Sequence, residues 1–132
     1  MKLHSTPNQQ YQTITGYDDS SVEINAIQFH HSLLVLPESA PVVWPVGDFS
    51  LLNESHFQLI EAHHPDVVIL GTGAKQRFVH PSLTACLTQR RIGVECMDSK
   101  AACRTYNILM TEGRKVALAL IIDNNSTSET ND

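Results

Sequence analysis

Two groups of residues in this 132-residue chain have types and spacing that can do chemistry. The first is the turn Gly71, Thr72, Gly73, Ala74, Lys75, Gln76 and Arg77, which follows the apolar run Val67, Val68, Ile69 and Leu70. Small residues expose backbone N–H groups, and Lys75 and Arg77 add positive charge, so the turn can hold a small anion. The same residues also read as a tight turn with solvated cations. It is not a nucleotide fingerprint: a dinucleotide loop needs a third glycine where Gln76 stands, and the Gly-Lys-Ser/Thr of a P-loop is absent. The second group is Glu95, Asp98, Arg104 and Asn107, gathered around one strand-to-helix corner. Glu95 sits between Val94 and Cys96 in a strand-like run, where an unpaired carboxylate is costly. It reads either as a paired or hydrogen-bonded structural carboxylate or as a catalytic one. A strand rising about 3.3 Å and a helix rising about 1.5 Å per residue bring Glu95 level with Arg104, although helical phase leaves their pairing open.

Other reactive side chains give weaker signals. Cys86, Cys96 and Cys103 are odd in number and lack C-x-x-C spacing, so neither a disulfide framework nor a thiolate zinc site is indicated. They read as small core residues. His30 and His31 are adjacent on a strand and point to opposite faces, while His63 and His64 precede the helix-ending Pro65. No metal and no cofactor are predicted, and no catalytic residue is assigned.

The elements that position these residues alternate over 67–122. Val67 to Leu70 form a strand covered on both faces, and Pro81 opens a helix with Leu83, Cys86 and Leu87 inward. Ile92 to Met97 form the next strand. Asp98 or Ser99 caps a helix with Ala102, Thr105, Tyr106 and Leu109 inward, and Gly113 stops it. Val116 to Ile122 close the unit as a nearly all-apolar strand, central or buried on both faces. Before that, Val22 and Ile24 alternate with polar neighbours, and Ile27, Phe29, His31, Leu33 and Val35 share one face of a single half-buried strand. Gln28, His30 and Ser32 fall on its other face. Val42 to Trp44, between prolines, reads as an edge strand, and Ser50 or Asn53 caps a helix with Leu52, His56, Leu59 and Ile60 inward. The predicted class is α/β: a three-layer single domain over 11–122, with a C-terminal βαβαβ unit of parallel strands in a mixed sheet. N-terminal antiparallel strands pack on or beside that sheet.

Composition bounds the function. The net charge of -5 argues against an electrostatic grip on nucleic acid. The 17% charged residues, against about 25% in ordinary soluble domains, read either as uncharged contact area for a partner or, the reading composition favours, as a surface of solvated Ser, Thr, Asn and Gln. Residues 1–10 and 123–132 are polar and read as flexible tails, and residues 1–10 lack a signal or transit pattern. No apolar run reaches the roughly 20 residues that span a bilayer, so the expectation is a cytoplasmic protein without direct membrane insertion.

The central stretch resembles a known family. The residues that carry the likeness are Gly71-Thr72-Gly73, then Gly93-Val94-Glu95 with Met97-Asp98, then the run Ala101 through Leu109, and Glu112-Gly113-Arg114. Trp44 resembles the family's N-terminal aromatic, while Cys96 and Ser99 stand where Val and Thr are expected. The chain is thus similar to the small domain of unknown function shared by bacterial proteins, the adipogenesis-associated domain protein and mitochondrial complex I assembly factor 3. The resemblance implies a three-layer α/β fold, no established enzymatic mechanism, and an assembly role exercised by binding other proteins. Three functions compete: a protein-interaction module, a binder of or enzyme acting on a small anionic metabolite at 71–76, and a homodimer built on an exposed apolar face.

Overall fold

The computed structural model describes residues 11–123. The proposed tails fall outside that range except for Asp123, which closes it. Its centre is a five-stranded mixed sheet made from β4 (Leu33–Leu36), β5 (Ser39–Val43), β6 (Val67–Gly71), β7 (Gly93–Met97) and β8 (Val116–Leu120). The strand order is β5-β4-β8-β6-β7; β6 runs parallel to both β7 and β8, while β4 is antiparallel to β5 and β8. β8 reads VALAL and is buried along its whole length, because it lies in the middle of the sheet with a layer on each face.

One face carries α1 (Glu54–Glu61) and the short α2 (Ala85–Thr88). Phe57, Ile60, Leu87 and Trp44 fill the space between them and Val68, Leu70, Ala117 and Ala119 of the sheet. The Trp44 indole donates to the His56 carbonyl at 3.0 Å, so its one polar atom is satisfied in the core. Asn53 caps α1 through a capping box in which the His56 ring, rather than a glutamate, reaches back to the cap N–H. Arg90, two residues past α2, forms an ion pair with Glu61 of α1.

The other face carries α3 (Ser99–Thr111) and a separate antiparallel sheet of β1 (Ile14–Asp18), β2 (Ser21–Ile24) and β3 (Ile27–Phe29). Val22, Ile24, Ala102, Cys103 and Tyr106 meet Leu33, Val35, Leu118 and Leu120 there. Burial pushes the Cys103 thiol up to about 12, which makes it a core residue rather than a nucleophile. This is the three-layer α/β architecture expected, with N-terminal strands both extending the main sheet and covering it.

Three details differ from the sequence reading. The alternating run from Ile27 to Val35 is not one strand: the chain leaves the small sheet after Phe29 and enters the large one at Leu33. The crossing turns Ser32 inward, to 1% exposure, and leaves Ile27 at 61%. The buried helix faces also differ in part from the apolar stripes of the sequence. Phe57 rather than Leu59 is buried on α1; on α3 Cys103 and Met110 join Ala102 and Tyr106 in the core, Leu109 packs half-buried against it, and Thr105 is half-buried. Finally, the predicted helix at Pro81 begins as a 3-10 turn, Pro81–Thr84, with the His80 ring accepting from the Ser82 N–H.

Candidate functional site

The glycine turn lies where β6 ends, at the carboxyl edge of the parallel strands, the usual ligand side of an open α/β sheet. Gly71 is packed too closely for any side chain: a Cβ there would sit 2.7 Å from Leu120 Cδ1, 3.0 Å from Ser99 Oγ and 3.2 Å from Ala102 Cβ. The tight approach brings the start of α3 directly onto the end of β6.

The turn's polar groups are then spent internally. Thr72 N–H donates to the Met97 carbonyl at 2.9 Å. The Thr72 hydroxyl donates to the Lys75 carbonyl at 2.6 Å, with the Met97 carbonyl also in reach at 3.1 Å, and accepts from Arg77 N–H at 3.1 Å. Gly73, at φ 99°, donates to Ser99 Oγ at 2.7 Å and accepts from Ser99 N–H at 2.8 Å. Burial raises the Tyr17 pKa, and the nearby Ser99 hydroxyl partly offsets the rise. Asp98 caps α3, its carboxylate accepting Ala101 N–H at 2.9 Å. A negative charge therefore already occupies the positive end of the helix.

The other candidates part company. Gln76 donates its amide to the Cys96 carbonyl at 2.8 Å, covering the outer edge of β7. Glu95 is exposed, because β7 is an edge strand and not an interior one, so its carboxylate needs no partner. Among the described residues no ion pair joins Glu95 to Arg104, which is also exposed. Asn107 holds the fold: it accepts from Ile14 N–H and donates to the Ile14 carbonyl, both at 2.9 Å, so its amide serves as one more strand partner for β1. Tyr106 adds a bond from its hydroxyl to the Gln12 carbonyl at 2.6 Å. The structure thus brings Gly71, Thr72, Gly73, Gln76 and Asp98 into one organised corner. Lys75, Glu95 and Arg104 stay on its surface, and Asn107 faces β1.

Beside the corner is a small hollow of about 230 Å³, lined by Thr72, Gly73, Phe49, Arg77, Asp19 and Asp123 among others. The Arg77 guanidinium lies 5.3 Å over the Phe49 ring, a cation–π contact that fixes the arginine at the rim. Next to it Phe78 is 75% exposed, the most exposed large apolar side chain described, and Leu51 is 56% exposed. Phe78 belongs to no motif in the sequence; an aromatic closing a polar turn is the signal that marks it. In the sequence Ser99 reads only as a cap and as a departure from threonine; its partner Gly73 is distant in sequence and gives no local sign. A larger groove of about 1110 Å³ opens at the opposite end, between Tyr11, Leu36, Pro37, Met110, Arg114 and Lys115, and none of the candidate residues lines it. No cluster of three or more His, Cys, Asp or Glu residues suited to a metal occurs among the described residues.

This fold, with its saturated glycine corner, is that of a family: residues 14–121 match the family described as "Protein of unknown function (DUF498/DUF598)", and the chain belongs to it. Among curated relatives it is 38% identical over 110 residues to the mouse (Mus musculus) "NADH dehydrogenase [ubiquinone] 1 alpha subcomplex assembly factor 3" and 33% identical to the bovine (Bos taurus) one. Each match covers 82% of this chain and 59% of the relative, so the chain spans less than two-thirds of these proteins' length. It is also 33% identical over 76 residues to the "13 kDa major membrane protein" of Francisella tularensis, covering 58% of this chain and 62% of that one. Among solved structures, a Bordetella parapertussis protein superposes with a TM-score of 0.83 at 38% identity, covering 89% of this chain and all of that one. A Bordetella pertussis protein described as an Mth938-like domain gives 0.78 at 34%, covering 93% of each. No helix among the described residues is long and apolar enough to cross a membrane.

Proposed function

We propose that the protein is a non-enzymatic interaction module of the assembly-factor type, acting on a respiratory complex, and that it docks a partner protein at the corner carrying Phe78. The observation that carries this reading is Phe78 itself, left 75% exposed on a turn whose backbone is fixed by hydrogen bonds. An aromatic side chain held on a rigid support loses little entropy on binding and is a common anchor of protein interfaces. Arg77 over Phe49 and the exposed Leu51 extend the same end of the molecule with residue types enriched at interfaces. The names of the curated relatives add that such a module can serve complex I assembly. A cytoplasmic location remains part of this proposal.

The alternative, a small anionic metabolite at 71–76, has less support. The N–H groups of Thr72, Gly73 and Arg77 have internal acceptors, and Asp19, Asp98 and Asp123 put negative charge around the turn.

Affinity capture from native extract, followed by mass spectrometry, tests the reading. Subunits of the respiratory NADH dehydrogenase should co-purify with the wild-type chain, and Phe78→Ala should lose them while its melting temperature stays unchanged. Equal recovery with Phe78→Ala would remove Phe78 as the anchor, and recovery of none of these subunits would remove the assembly role.

A further inference from the structure

The two sheets end in four strand edges, and three of them are blocked. On β1, Asn107 bonds both main-chain groups of Ile14. On β7, Gln76 takes the Cys96 carbonyl. β5 carries Pro41 within the strand, which removes a donor. β3 has no such device, and β2 is the one element it packs against to any extent.

The geometry of the hairpin says which groups β3 offers. Asn25 and Ala26, at φ 49° and 72°, form a two-residue turn, so the closing pair Ile24 and Ile27 exchanges both hydrogen bonds. Alternation makes Val22 and Phe29 the next bonded pair and leaves Gln28, opposite Glu23, with its N–H and C=O pointing outward. Gln28 is exposed, and among the described residues no hydrogen bond outside the hairpin takes up either group. Ile27, on the core side of this strand, is left 61% exposed at the same edge.

We infer that β3 is a self-association edge, where a second copy of the chain pairs antiparallel about a twofold axis through Gln28. Three observations favour a second copy over another occupant. The strand is self-complementary: centred on Gln28, each Gln28 N–H meets the other copy's Gln28 carbonyl, and Ile27 falls directly opposite the other copy's Phe29 on the same face. That pairing covers the exposed isoleucine with an aromatic ring, a favourable cross-strand combination. Residues 24–37 contain no Asp, Glu, Lys or Arg, so two copies of a chain with net charge -5 can approach here without facing like charges. The two small sheets become one six-stranded sheet. An edge of three residues buries little area, so the dimer is weak and forms at high concentration.

Gln28→Pro is the discriminating variant. Proline removes the outward donor but no hairpin hydrogen bond, because the Gln28 N–H makes none to β2. Ile27→Lys is the second variant; it places a charge at an already exposed position and blocks the edge as natural edge strands do. In sedimentation equilibrium of the full chain, up to millimolar concentration, the wild type should rise from 14.7 kDa toward twice that mass. Both variants should stay at the monomer mass, with melting temperatures unchanged in dilute solution. A wild type that remains monomeric throughout overturns the inference, as does unchanged association in the variants. If Gln28→Pro fails to fold, Ile27→Lys alone decides.

Discussion

Gly71→Ala lowers the melting temperature by roughly 5–10 °C, the shift expected for a loss of about 1–3 kcal/mol from overpacking in a domain of this size. The new methyl group would lie 2.7 Å from Leu120 Cδ1, and neither Leu120 nor the flanking Ser99 and Ala102 has solvent to move into, each being fully buried. Relief requires α3 to lift from the end of β6, which would also stretch the reciprocal bonds between Gly73 and Ser99. Gly93→Ala is the control. A Cβ at Gly93 meets nothing within 4 Å, so that variant should melt within about 1–2 °C of the wild type, as surface substitutions away from special features do. Thermal melts of the two variants side by side check the claim, and equal melting temperatures would show that the close approach at Gly71 is not needed.

Ser32→Ala is expected to cost about 2–6 kcal/mol, since it leaves two buried groups without a partner at about 1–3 kcal/mol each. The Ser32 hydroxyl donates to the Val46 carbonyl at 2.8 Å and accepts from Ile122 N–H at 2.8 Å. Val46 and Ile122 are each 2% exposed, so water cannot replace either bond. Alanine removes the bridge that ties the β3–β4 crossing to the segment after β5 and to the residues that follow β8. Chemical denaturation gives the free-energy loss, and hydrogen exchange should locate the fastest new opening at the Ile122 amide. A variant as stable as the wild type would mean that these backbone groups find other partners.

Ser32 also marks where a sequence stops being legible. Ile27, Phe29, Leu33 and Val35 stay in step along one face, because the crossing between sheets takes three residues, 30–32, an odd count that preserves the period of two. The preserved period masks the polar interruption His30-His31-Ser32 that follows Phe29, so Ser32 reads as a surface residue when it is the buried hub of three segments. Glu95 illustrates the same limit. Its strand is clear from pattern, but its exposure depends on strand order, and β8 inserts between β4 and β6 to leave β7 at the edge. Where local chemistry decides, the reading carried further. The Asp98 cap, the Gly113 stop at φ 83°, the buried run of β6 and the central place of β8 all follow from residues within a few positions of one another. At the corner, the turn's place at the strand ends was legible from Val67 to Gly73. The internal use of its N–H groups was not, because Met97 and Ser99 lie some 25 residues away.

The central claim, that this chain promotes assembly by holding a partner at Phe78, is tested most directly by the amount of assembled NADH dehydrogenase in cells lacking the gene. Native gels stained for NADH oxidation give that amount. Loss of the gene should lower it, the wild-type chain should restore it, and Phe78→Ala expressed to the same level should not. Undiminished assembled complex in cells without the protein would contradict the account.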